Sequence, residues 1–179
     1  MVINMKCIKI LTDKDFNLIP KEFDNPRVRY GARGIIFNKD GYIAILNKKN
    51  KNEYKLIGGG IEKEEDPKLA FIREVKEESG ATIKDIRLIG IIEEHKSQDN
   101  FKQTSYVYVA NVESINQTMF TDDEVDDGAT LLWLPINEAI EKIKDCENKL
   151  KPSNHESNMS VYHTKFIVRR DYELSLIHI

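Results

Sequence analysis

The chain has 179 residues, 40% of them hydrophobic and 32% charged, and a formal net charge of −3. That length buries the core of one ordinary domain and leaves too little for two. No apolar run is long enough to cross a bilayer, and a slightly acidic surface offers no general attraction to a phosphate backbone, so a membrane span and a polymeric nucleic-acid partner are both excluded.

The N-terminus alternates apolar and charged residues through Met5, Lys6, Cys7, Ile8, Lys9 and Ile10. It lacks the continuous apolar stretch of a secretory signal, and a cytoplasmic location is expected. Cys7 and Cys146 are far apart and have no nearby cysteine, which suggests two reduced thiols rather than a zinc site or a disulfide framework.

In chain order, strand-like runs are expected over Val2–Leu11, Val28–Phe37, Tyr42–Leu46 and Tyr54–Ile57, with Asn38-Lys39-Asp40-Gly41 as a hairpin loop. A helix follows over Pro67–Ser79, with Asp66 as N-cap, proline at the first helical position and Gly80 ending it in a left-handed turn. Further strands are expected over Ile86–Glu93, Thr104–Val112 and Leu131–Leu134. A second helix covers Asn137–Asp145 and a third runs from Met159 towards Leu174. Strands and helices without regular alternation indicate an α+β fold, a sheet packed between helices. No repeat or linker divides the chain, so residues 1–179 are read as one domain, with a core over about 26–146 and a C-terminal helical segment over about 159–175.

The unusual segment runs from Gly58-Gly59-Gly60 through an acidic loop with Glu62, Glu64 and Glu65 into Arg73-Glu74-Val75-Lys76-Glu77-Glu78-Ser79-Gly80. At 3.6 residues per turn, Glu74, Glu77 and Glu78 share one helix face. Like charges so spaced repel by about 0.2 to 0.5 kcal/mol per exposed pair, and the last turn of a helix disfavours anions further. A bound divalent cation reverses both penalties, and hard oxygen ligands suit Mg²⁺ or Mn²⁺. Taken alone, such a cluster is more often a solvated acidic face. The glycines add a carbonyl as a further ligand, and Arg73 can pair with Glu77 one turn on.

Together these residues resemble the Nudix box: Gly59, five residues, Glu65, seven residues, Arg73-Glu74, Val75, one residue, Glu77-Glu78, one residue, Gly80. Two positions depart from the usual pattern, Ala81 in place of a larger aliphatic residue and Ile57 in place of proline, and neither is a ligand position. The resemblance extends over roughly residues 26–146. It implies a Nudix α/β/α sandwich with a mixed sheet between helices, and a divalent-metal-dependent hydrolase that uses water to split a nucleoside diphosphate linked to another moiety. It also implies the roles. Glu77 and Glu78 are metal ligands, Glu74 is a ligand or the general base, the Gly59 carbonyl is another ligand, and Arg73 and Glu65 orient the acids.

Some members recruit a base from a distant loop, and in the acidic run from Asp122 to Asp127 the preferred candidate for an extra carboxylate is Glu124, against a solvated loop. Arg27, Arg29 and Arg33 share strand parity and are candidates to face an anionic substrate, against ordinary surface charge. Tyr106 and Tyr108 share a strand face and are candidates to stack on a base, against simple packing. His95 and His163 read as structural or solvent-exposed, and Trp133 as core. Beyond the box, Lys96-Ser97 stands where members acting on ADP-ribose tend to have proline, and Ser97-Gln98-Asp99 lacks the tyrosine of dinucleoside-polyphosphate hydrolases. The default substrate is therefore a nucleoside triphosphate cleaved to release pyrophosphate. The alternative is a catalytically silent Nudix domain acting as a nucleotide sensor or interaction module, against which the intact acids argue.

Overall fold

The computed structural model describes residues 5–150 and 157–177. Seven strands are described, β1 (Cys7–Thr12), β2 (Arg27–Phe37), β3 (Ile43–Lys48), β4 (Glu53–Gly60), β5 (Ala81–Lys96), β6 (Phe101–Ile115) and β7 (Ala129–Leu134). They form one mixed sheet in the order β1-β5-β6-β2-β4-β3-β7. β1 runs parallel to β5 and β2 parallel to β6, while the remaining neighbours pair antiparallel. Four helices accompany the sheet: α1 (Pro67–Ser79), α2 (Asp122–Asp126), α3 (Ile136–Lys149) and α4 (Asn158–Ser175).

The sheet is covered on both sides, as the sandwich expectation requires. On one face Ala70, Phe71 and Val75 of α1 pack on Ala32, Ile36, Ile57 and Tyr108. On the other, Ala139 and Ile143 of α3 and Phe166 and Leu174 of α4 pack on Ile35, Ile45, Leu56 and Val107. This double coverage explains why β2 is buried continuously from Gly31 to Ile36, with Arg33 the one charged side chain in that stretch.

Helix α1 has the expected termini. Asp66 Oδ1 accepts from the N–H groups of Lys68 and Leu69 at 2.8 and 3.2 Å. Gly80 closes the helix at φ 65°, where a Cβ would meet the Asn116 carbonyl oxygen at 2.2 Å. The Asn38 loop also forms as expected, its Oδ1 accepting from Asp40 N and Tyr42 N at 3.0 and 2.9 Å. The first residues of the expected strand from Val2 lie outside the described residues.

Three elements differ from expectation. β5 begins at Ala81, directly after the Gly80 turn, and β5 and β6 extend beyond their apolar runs because each pairs along the other with register shifts near Thr82, Lys84 and Leu88. The acidic run near Glu124 is a short helix with a capping box. Thr121 Oγ1 accepts from Glu124 N at 3.3 Å, and Glu124 Oε2 accepts from Thr121 N at 3.1 Å. Trp133, expected in the core, is half-buried at its margin. Helix α4 spans nearly the expected residues, with Ser157 Oγ accepting from Ser160 N at 3.1 Å.

Candidate active site

The end of β4 pairs with the middle of β2, Gly58 opposite Arg33 and Gly59 opposite Ala32. The chain then turns through residues 61–66 into α1, which lies close over the strand it has just left. The closeness is set by Gly59: a Cβ there would fall 2.5 Å from both carboxylate oxygens of Glu74. The glycine thus creates a cradle in which the Glu74 carboxylate sits against the backbone.

Arg73 organises the acids around it. Its Nε donates to Glu65 Oε1 and its Nη2 to Glu65 Oε2, both at 2.9 Å, and Nη2 also donates to the Gly60 carbonyl at 3.0 Å. Its Nη1 donates to Glu74 Oε1 at 2.8 Å and Glu77 Oε2 at 3.2 Å. One planar guanidinium therefore spaces three carboxylates, more than the single pairing with Glu77 that helical spacing indicates. These hydrogen bonds, first of all the one to Glu65, push the Arg73 pKa up, and the Arg73 contact holds the Glu65 carboxyl below its ordinary value.

Glu78 points the other way, into the protein, and is only 2% exposed. Its Oε1 accepts from Lys55 Nζ at 2.9 Å and its Oε2 from Gly58 N at 2.7 Å. Burial pushes its carboxyl up to about 7 despite Lys55, with the Glu124 carboxylate adding to the rise. Burial acts to lower the Lys55 pKa, but its contact with Glu78 outweighs this and keeps the ammonium protonated. Among the described residues no three His, Cys, Asp or Glu side chains are closed into a ligand set, and Arg73 and Lys55 sit on the carboxylates. The donors nonetheless fit a hard divalent cation: they are all oxygens, Glu74 lies in the Gly59 cradle, and the chain already places its own cations on them.

Beside Gly58 and Gly59 opens a pocket of about 290 Å³. Arg29, Arg33, Lys48, Lys51, Lys55 and Arg170 line it, against the single carboxylate of Glu53. Behind it lies a buried charge network. Arg170 donates to Glu94 Oε2 and Asp171 Oδ1, both at 2.8 Å, and Arg33 lies 3.8 Å from Asp171. Lys96 Nζ stands 3.0 Å from Glu94 Oε1. Arg33 Nε and Arg170 Nη2 have no hydrogen-bond partner among the described residues. Burial, followed by repulsion from Arg170, lowers the Arg33 pKa to about 10. For Glu94 burial acts to raise the pKa, but Arg170, Lys96 and Arg33 together hold the carboxyl down to about 2.

Of the three arginines sharing parity on β2, Arg29 and Arg33 reach this pocket. Arg27 turns aside to Asp99 at 2.6 Å and packs over Phe101. Tyr106 and Tyr108 are not brought to it. They lie on the α1 face of the sheet, opposite the pocket, and the Tyr108 ring stacks on Phe71 with centroids 5.1 Å apart, so burial in that core replaces the expected base stacking. His163 lines the pocket and pairs with Asp99 at 2.9 Å, while His95 pairs with Glu93. Lys48, Lys51, Lys55 and Arg170 were missed in the sequence. Their spacing carries no signal, because four separate elements bring them together.

Comparison with known proteins agrees with this geometry. The NUDIX domain pattern matches residues 27–154. The chain belongs to the Nudix family. Among curated Nudix relatives, diphosphoinositol polyphosphate phosphohydrolase 2 of Homo sapiens is 35% identical over 108 residues, which cover 60% of this chain and 56% of that protein. Diphosphoinositol polyphosphate phosphohydrolase 3-beta of Homo sapiens is 32% identical, with 60% and 62% covered. The chain thus spans less than two thirds of the length of these relatives. Among solved structures, the MutT NUDIX hydrolase of Burkholderia pseudomallei shares the fold at a TM-score of 0.51 and 20% identity, over 62% of this chain and 85% of that one. No described helix is long and apolar enough to cross a membrane.

Proposed function

We propose that this Nudix protein is a divalent-metal-dependent pyrophosphohydrolase acting on a small, densely phosphorylated molecule of the diphosphoinositol polyphosphate type. The observation carrying this reading is the pocket beside Gly58 and Gly59, lined by six lysine and arginine side chains, of which Arg29 has no carboxylate partner among the described residues and Lys48 and Lys51 share Asp127. A nucleoside triphosphate presents one chain of phosphates and a flat base. Among the described residues no Phe, Tyr or Trp lines the pocket, whereas its cations suit phosphates spread around a ring. The family relatives named for diphosphoinositol polyphosphates agree with this choice over the nucleotide default.

In this reading the Gly59 carbonyl, Glu74, Glu77 and Glu78 hold Mg²⁺ or Mn²⁺, which when bound neutralises phosphate charge and lowers the pKa of water. Arg73 and Glu65 fix the rotamers of Glu74 and Glu77. Lys55 and Arg73, which sit on the acids in the structure, mark where positive charge is wanted. Arg29 and Arg33 bind substrate phosphate, and the buried network behind Arg33 keeps that floor rigid. Attack of water on phosphorus breaks the anhydride P–O bond, one phosphate departs with the bridging oxygen, and the water proton passes to a carboxylate. Glu74 and Glu124 are the candidates for that base.

The test is phosphate release from diphosphoinositol pentakisphosphate and from a panel of nucleoside triphosphates, with Mg²⁺, with Mn²⁺ and with chelator. Metal-dependent turnover favouring the inositol substrate, abolished in Glu77→Gln without loss of folding, is expected. No hydrolysis across the panel with tight binding retained overturns the enzymatic reading in favour of a silent sensor. Faster turnover of nucleotides overturns the substrate choice.

A further inference from the structure

Helix α4 lies outside the segment matched by the family pattern, yet it forms one wall of the basic pocket. The wall is a stripe at helical spacing, Ser160, His163, Thr164 and Ile167, followed by Arg170. A helix packed on a sheet usually presents apolar residues inward, as α4 does with Phe166 and Leu174. Here the stripe has one apolar member, Ile167, among two hydroxyls, a guanidinium and an imidazole that pairs with Asp99. Thr164 is 5% exposed, and neither its hydroxyl nor that of Ser160 makes a side-chain hydrogen bond with the described residues. The pocket thus presents two hydroxyls with unused hydrogen-bonding capacity, Thr164 on a buried residue and Ser160 on a half-buried one.

The stripe begins far from the carboxylates. His163 packs on Phe101 with ring centroids 5.6 Å apart, and Phe101 is paired with Arg27. That pair lies five rungs along β2 from Ala32, which pairs with Gly59. At about 3.3 Å per residue the separation is on the order of 15 Å. Between the two ends, Arg29 and Gln103 are opposed in the β2–β6 register, and both line the pocket. Arg29 has no carboxylate partner among the described residues.

We infer that Ser160, His163 and Thr164 of α4, with Arg29 and Gln103, form a second phosphate subsite remote from the cleavage centre, which selects substrates carrying a phosphate on the side away from the scissile diphosphate. This deepens the pyrophosphohydrolase reading and rests on it for the word substrate, but the subsite itself is testable by binding alone. A molecule with phosphates around a ring fills both ends of the pocket. Inorganic pyrophosphate fills only one.

The experiment is calorimetric titration of the full chain with inositol hexakisphosphate and, separately, with inorganic pyrophosphate. Ser160 is the third residue of α4, where an acidic side chain is compatible with the helix, so Ser160→Asp places a negative charge in the subsite without opposing folding. The expected result is a loss of about tenfold or more in hexakisphosphate affinity, with pyrophosphate affinity changed about twofold or less. Thr164→Val, which keeps the shape and removes the hydroxyl, weakens hexakisphosphate binding in the same direction. Equal losses for both ligands, no loss for hexakisphosphate, or no hexakisphosphate binding by the unmodified protein overturns the subsite. Those outcomes leave hydrolysis intact, whereas absent hydrolysis with selective hexakisphosphate binding overturns the enzymatic reading alone.

Discussion

Arg73 grips Glu65 through two parallel hydrogen bonds, Nε to Oε1 and Nη2 to Oε2, each 2.9 Å long. The remaining donor, Nη1, is thereby aimed at Glu74 and Glu77. A loop acid thus sets the orientation of two helix acids through one guanidinium. Arg73→Lys keeps the charge but not the planar fork, so it cannot reproduce this geometry. Its expected effect is a loss of about 10- to 100-fold in kcat/KM, with weaker apparent Mg²⁺ affinity. Steady-state kinetics across a metal titration checks this, and retention of full activity would remove Arg73 from the positioning role.

Gly59→Ala separates site from fold. The added Cβ meets only the far end of the Glu74 side chain, at 2.5 Å, so the backbone need not move. The melting temperature is expected to change by no more than a few degrees, which corresponds to about 1 kcal/mol. Activity is expected to fall by about 100-fold, because Glu74 leaves its cradle. A parallel loss of stability and activity would point to a structural glycine instead.

Glu94 gives a pH dependence whose sign is fixed. Its folded pKa, about 2, lies below its ordinary value of 4.5, so its contribution is fully present above about 4.5 and is lost as pH falls towards 2. Denaturant unfolding is expected to show wild-type stability decreasing through that window. Glu94→Gln leaves Lys96 buried without its carboxylate and Arg170 with Asp171 alone, and is expected to cost about 3 to 5 kcal/mol at neutral pH and to flatten the acid limb.

Glu124→Gln distinguishes a helix cap from a catalytic carboxylate. Glutamine retains the acceptor that Thr121 N uses, so α2 is expected to persist. If Glu124 is the base, kcat falls by about 10² or more while substrate affinity is retained. A change in kcat below about threefold assigns the proton to Glu74.

Helix α1 was legible because its signals are local. Asp66, Pro67 and Gly80 act within one turn, and three acids on one face have a cost that only a cation removes. The same holds for the Asn38 hairpin and for α4, whose range was read to within a residue at each end. The short helix near Glu124 was not legible, since acidic residues after a threonine serve a loop and a capping box equally.

The sequence by itself determined the sheet-and-helix class and the grouping of Arg73, Glu74, Glu77 and Glu78, because a fixed number of residues per turn converts spacing directly into a shared face, while Glu65, in the loop before the helix, joined them through the resemblance to the Nudix box. Tertiary structure decided where each of these points: Glu78 inward to Lys55, Glu74 onto Gly59, and Tyr108 into the core instead of the pocket. It also decided the pocket, which joins Arg29 and Arg33 to Lys48, Lys55 and Arg170 from β3, β4 and α4. Residues up to about 140 positions apart meet there because strand order and helix coverage place them, and neither is encoded in any local window of the chain.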